Sequence, residues 1–227
     1  MNISNIFLNS SAQQQLNALK ALNAKPLQRI DKDISGTRAK QPTLESVRKD
    51  VNELKDALTK LKSASDTDRA DAVKKFVSEF NDVQRQLSQV TGKDGMLRGL
   101  WAVRDARSSL RDPFQDLDVL KNLRDTGVNT TRDGLEVNNS IAGAVALSDT
   151  VLSKLEASVE KLTSRMESAA NQLRSHLERL NQERERTQAQ VERANQRTER
   201  QFMRYYQLIQ AMGGNNASMG GGTSFFV

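Results

Sequence analysis

The chain has no cysteine, a single histidine, three prolines and few aromatics, 4% of its 227 residues. Each shortage excludes something. Without cysteine there is no disulfide framework, no thiolate metal site and no cysteine nucleophile. Any imidazole chemistry must use His176 alone. No apolar run approaches the roughly 20 residues of a membrane helix. Residues 1–10 lack a basic segment and a long apolar core, so a secretory signal peptide is not expected there. Scarce proline, few aromatics and little glycine before Gly213 favour long helices over a β-rich fold.

Charge is plentiful and mixed. Lys plus Arg number 34 against 28 Asp plus Glu, a net charge of +6. The bases are interleaved with acids, as in Glu183, Arg184, Glu185, Arg186 and Glu192, Arg193. Interleaving along the sequence cancels the field beyond a Debye length of about 8 Å. A phosphate-binding surface needs a one-sided stripe, ideally with stacking aromatics. The expectation is a solvated helix face, with neither nucleic acid nor membrane as a partner.

Helical periodicity dominates the chain. Gln13 to Ala24 carries Leu16, Leu19 and Leu22, and Pro26 is expected to interrupt that helix. Leu27, Ile30 and Ile34 continue a weaker stripe, and residues 36–42 read as a joint. Beyond Pro42, with Thr43 as candidate N-cap, Leu44, Val47, Val51, Leu54, Leu58 and Leu61 are spaced 3, 4, 3, 4, 3. That is a heptad seam built to pack against other helices. Residues 63–71 are polar and break it. Val73, Phe76, Val77, Phe80, Val83, Leu87 and Val90 form the next apolar face, stopped by Gly92 as C′. A helix from about Met96 to Leu110 carries Trp101, expected as a core or interface anchor. A short helix over 117–124 precedes a small β-hairpin near 127–137, with Asp133-Gly134 at the turn.

The last helical region runs from Ser140 to Met212 without proline. Leu152, Leu155, Val159, Leu162, Met166, Ala169, Leu173, His176 and Leu180 repeat at 3 and 4, with His176 the polar exception. From Asn181 to Gln201 the seam fades, and such a helix needs a partner surface or frays. Apolar residues then return at Phe202, Met203, Tyr205, Tyr206, Leu208, Ile209 and Met212, before a glycine-rich tail tipped by Phe225-Phe226-Val227. The fold class is therefore all-α in the main, an elongated helical bundle or coiled coil with a small hairpin and terminal helices beyond the bundle. The 44–62 and 152–180 seams are expected to pair, with residues 72–111 as a third layer.

Nothing in the sequence proposes catalysis. No Gly-Lys-Ser/Thr phosphate loop, metal-ligand cluster or nucleophile–base pair is present. Asp125, Asn129, Asp133 and Glu136 do not have EF-hand spacing and read as turn chemistry. His176, beside Leu177, reads as a solvated or locally hydrogen-bonded seam residue. No cofactor, metal or catalytic residue is expected.

Four segments, in order along nearly the whole chain, carry a resemblance. They are the N-terminal helix running into Lys25-Pro26-Leu27-Gln28-Arg29-Ile30 with the 44–62 coiled coil; Phe76-Val77 through Phe80-Asn81; Thr126-Gly127-Val128 through Asp133-Gly134-Leu135-Glu136-Val137-Asn138; and the closing helix, Arg200-Gln201-Phe202 through Met212, with its tail. In these the chain resembles the flagellar filament cap (hook-associated protein 2) family. The second segment is similar to the family's Phe-Val-x-x-Tyr-Asn stretch, and the third to its Asp-Gly-x-Leu-x-Leu-Asp stretch. Head domains usually inserted before the Phe-Val segment have no room in residues 66–72, so the resemblance is to a headless form.

The resemblance implies a discontinuous terminal domain, 1–41 plus 198–227, and a leg-like helical domain, 42–197. It implies a homo-oligomeric ring at the distal tip of the bacterial flagellum, outside the cell, exported through the flagellar type III route without a cleaved signal peptide. Flagellin, the hook–filament junction proteins and an export chaperone masking the C-terminal helix are the implied partners. Leu16, Leu19, Leu22, Phe202, Tyr205, Tyr206, Leu208, Ile209, Met212, Phe225 and Phe226 are the matching assembly surface. Two other readings stay open: a cytoplasmic coiled-coil adaptor or chaperone, distinguished by whether the chain is exported, and a nucleic-acid-binding coiled coil motivated only by the +6 charge.

Overall fold

The computed structural model describes the backbone of residues 3–131 and 134–215, with side chains over 13–131, 134–209 and 211. Helices account for most of it: α1 (Ile3–Arg38), α2 (Lys40–Ser63), α3 (Arg69–Thr91), α4 (Trp101–Arg111), α5 (Leu117–Asp125) and α6 (Asp149–Asn215). A 3-10 turn, Asp112–Gln115, links α4 to α5. Strands β1 (Val128–Thr130) and β2 (Leu135–Val137) form an antiparallel hairpin with Val128 opposite Val137 and Thr130 opposite Leu135. The all-α class and the hairpin agree with the sequence.

The helix boundaries differ from expectation in instructive places. α1 runs through Pro26 rather than stopping there. Pro26 cannot donate to the Leu22 carbonyl, a loss that normally breaks a helix. On both sides of it α1 bonds to α6, through Lys20, Asn23 and Asp31. Residues 36–42 are not a loose joint: Gly36 is helical, and only Ala39 interrupts. The reason is Pro42, whose missing N–H leaves the Arg38 carbonyl without its helical donor. Ala39 nevertheless stays near helical geometry, at φ −60° and ψ −20°. Thr43 is accordingly inside α2 and not its N-cap. Gly92 follows α3 in extended geometry, φ −60°, so it is not a left-handed C′. α4 begins at Trp101 rather than near Met96, and α6 begins at Asp149 rather than Ser140. The terminal helices expected beyond the bundle are continuous extensions of α1 and α6.

Contacts divide the chain into two compact units, Gly36–Leu177, and Met1–Ser35 with Glu178–Val227. The family resemblance implies a terminal domain of 1–41 plus 198–227 and a helical domain of 42–197. In the first unit a single core gathers α2, α3, α4, α5, the hairpin and the first part of α6. Leu44, Val47, Val51, Leu54, Leu58 and Leu61 are all buried, as are Leu152, Leu155, Val159, Leu162, Met166 and Leu173. Both seams thus enter one core. Ser46 accepts from Gln86 Nε2 at 2.7 Å, and Lys62 Nζ lies 2.8 Å from Glu156 Oε1. Phe80 stacks edge-on to Phe114, ring centroids 5.0 Å apart. Each fully buried side chain such as Phe76 contributes about 1.5–3 kcal/mol.

Trp101 does not enter this core. It is 52% exposed, with the Arg165 guanidinium 5.7 Å from its ring centroid. Asp105, one turn further along α4, pairs with Arg165 at 2.7 Å. The core position next to it is taken instead by Ala102 and Val103.

Candidate assembly surface

In the unit built from residues of both chain ends, α1 and α6 run antiparallel. Lys20 meets Glu199 at 2.5 Å, Asn23 meets Asn195 at 3.0 Å, and Asp31 meets Arg184 at 2.6 Å. Asn23 Nδ2 also lies 3.4 Å from Thr198 Oγ1. The partner required by the faded 181–201 stretch is therefore α1. The row that α1 turns to α6 is Leu16, Lys20, Asn23, Leu27, Ile30 and Ile34, all buried or half-buried. Its 4, 3, 4, 3, 4 spacing is heptad spacing with polar residues in two places. Polar groups at seam positions lower stability and specify register.

Apolar burial in this unit is sparse. Leu16, Ile30, Ile34 and Leu180 are buried, whereas no described side chain between Leu16 and Ile30, or over 181–209, is. The consequence lies on the outside. Leu19 is 45% exposed, Leu22 53%, Tyr205 66% and Leu208 59%, with Met203 and Ile209 exposed as well. Phe202 and Tyr206 are half-buried. Of the expected surface, Leu16 is buried: the α1 seam passes through it, Lys20 and Asn23, leaving Leu19 and Leu22 beside it. The side chain of Met212, and Phe225 and Phe226, lie outside the described residues. Sequence reasoning missed Lys20, Asn23, Asp31, Arg184, Asn195 and Glu199. For Lys20 and Asn23 the signal was the heptad spacing, concealed because these two residues are polar.

The Gly36–Leu177 unit carries its own polar fastening. Asn81 of α3 grips Leu135 of β2, donating from Nδ2 to the carbonyl and accepting the N–H at Oδ1, both at 2.8 Å. Gly134 permits the approach: a Cβ there would lie 2.2 Å from Asn81 Oδ1. Gly143, at φ +73°, packs where a Cβ would meet the Ala70 backbone at 2.6 Å. An open groove of about 440 Å³ adjoins the hairpin, lined by Phe80, Phe114, Leu120 and Leu135 among others.

Electrostatics are structural. Burial, with the nearby Glu53 and Asp82 charges, pushes the Asp50 carboxyl above its ordinary value. Hydrogen bonds to Glu156 and Glu79 raise Lys62 and Lys75. The Lys154 ammonium, and then the Asp118 N–H, hold Asp116 below the ordinary carboxylate value. Among the described residues no three metal-binding side chains converge, and no helix is long and apolar enough to cross a membrane. His176 is half-buried on α6.

Exposed Leu, Tyr, Met and Ile on a helix pair that buries few side chains of its own is a surface suited to packing against further helices. Comparison with family models, with curated proteins and with solved structures finds no match to this chain.

Proposed function

We propose that this chain is a headless cap of the bacterial flagellar filament, a structural protein that assembles at the distal tip and promotes flagellin polymerisation. The observation that carries the reading is the helix pair of α1 and α6, whose seam includes the polar Lys20 and Asn23 while Leu19, Leu22, Met203, Tyr205, Leu208 and Ile209 face outward. Such a pair has apolar area to offer a neighbouring helix. In this reading that area docks on subunits of the ring, on flagellin and on the hook–filament junction, and the export chaperone covers residues 202–212 beforehand.

A second observation supports it. Asn81 closes the Phe-Val segment and Gly134-Leu135 lies in the Asp-Gly segment; these two stretches of the family resemblance bond to each other directly.

The test is deletion of the gene in its source organism, with flagellin assayed in the medium. Unpolymerised flagellin with loss of filaments is the expected result. Normal filaments without leakage, and a chain retained in the cytoplasm, would transfer the reading to a coiled-coil adaptor.

A further inference from the structure

Charges adjacent in sequence point apart on a helix, so interleaving along the chain does not mean interleaving on a face. In the C-terminal part of α6, Glu199 is turned to Lys20 and Arg184 to Asp31. Thr187, Val191, Ala194, Thr198 and Phe202 make up the half-buried side. Arg186, Arg193, Arg197 and Arg204 recur at intervals of 7, 4 and 7 and share a side about a third of a turn away, and all four are exposed. Among the described residues none of these guanidinium groups has a carboxylate partner. The row spans about 27 Å at helical rise.

The Gly36–Leu177 unit holds its counterpart. Asp149, Glu156, Glu160 and Glu167 recur along α6 at the same intervals of 7, 4 and 7. Asp149, Glu160 and Glu167 are exposed, and Glu156 is shared with Lys62. Both rows belong to the single helix α6, so a contact between them requires a second molecule.

We propose that this second molecule is another copy of the chain, with the arginine row of one copy lying along the acidic row of the next. Equal spacing sets the four arginines opposite the four acidic positions at once, with Glu156 also held by Lys62 of its own copy. The spacing reads the same in both directions, so parallel and antiparallel alignment satisfy it equally. A network of exposed pairs is worth more than its isolated members. The contact is heterologous: each copy uses a different row, leaving one of each free, so copies add head to tail, as a closed ring or an open filament. A nucleic-acid strand could lie on the arginines, but it would leave the matched acidic row without a role. The inference stands apart from the flagellar reading, because the rows act in any cellular setting.

The test is sedimentation of the full chain at low and high salt, with two charge-reversed variants. One is Arg193→Glu with Arg197→Glu; the other is Glu160→Arg with Glu167→Arg. All four positions are solvent-facing on the helix, and circular dichroism verifies that helicity is kept. The native chain should associate at low salt and weaken about tenfold or more when salt shortens the Debye length to roughly 4 Å. Each variant alone should sediment as a monomer, and an equimolar mixture of the two should associate again. A native chain that stays monomeric at low salt overturns the proposal, as does association unchanged by either reversal. So does a monomer that retards a labelled oligonucleotide through Arg193 and Arg197, which would give that row to nucleic acid. Association with normal filaments in the deletion strain would uphold this contact while removing the cap reading.

Discussion

Asn81 holds Leu135 by both of its backbone groups, at 2.8 Å in each direction. A two-stranded hairpin is marginal by itself. This one is a fixed part of the fold because an α3 side chain acts as a third strand would, and because Val128 and Leu135 are buried in the core.

Replacing Asn81 by Ala should therefore cost about 1–3 kcal/mol, the usual penalty for leaving backbone groups unpaired. Gly134→Ala should cost a similar amount, since its Cβ would fall on Asn81 Oδ1. The two effects share one contact, so the double variant should lose less than the sum. Urea midpoints of the four proteins measure this, and strict additivity would sink the account.

Phe76 is 1% exposed and Leu54 fully buried, both inside the shared core. Phe76→Ala is expected to cost about 3–5 kcal/mol and Leu54→Ala about 2–5. A loss below about 1 kcal/mol at either position, measured by chemical denaturation, would mean the seams do not form one core.

Two carboxylates give opposite pH signatures. Asp50 has a raised value in the fold, so its charged form is penalised at neutral pH and the penalty fades as pH falls through that value. Asp50→Asn should accordingly stabilise at pH 7 and give no gain below the ordinary value of 3.8. Asp116 has a lowered value, so its contribution is present above 3.8 and is lost as pH falls further through its folded value. Asp116→Asn should thus weaken the protein at pH 7 and lose its effect in strong acid. Thermal melts across this range decide both, and equal signs at pH 7 would contradict the assignment.

Gly36 sits in α1 with a helical backbone, and a Cβ at this position would have nothing within 4 Å of it. Gly36→Ala should stabilise by about 0.5–1 kcal/mol, the helical difference between the two residues. Destabilisation on melting would imply that this position must bend.

Amides of α6 over 181–209 should exchange with solvent faster than those over 152–173. The first stretch has no buried described side chain, whereas the second contributes Leu152, Leu155, Leu162, Met166 and Leu173 to the core. Hydrogen exchange read by mass spectrometry compares the two directly; equal protection would show that the polar seam is stronger than its chemistry implies.

The two heptad seams were legible in the sequence because burial follows periodicity whenever the repeated residues are apolar. Leu44 through Leu61 and Leu152 through Leu173 needed no tertiary information, and Asp133-Gly134 marked the hairpin by turn chemistry alone. Tertiary structure decided where the helices end and which polar residues matter. Pro26 breaks an isolated helix, yet α1 continues through it, bonded to α6 by Lys20, Asn23 and Asp31 on either side. The same holds for the polar seam, since Asn23 and Asn195 have no evident link at 172 positions apart and become a register lock only when α1 lies against α6. Local propensity acts within a few residues; hydrogen bonds and ion pairs between distant segments depend on how the chain comes together.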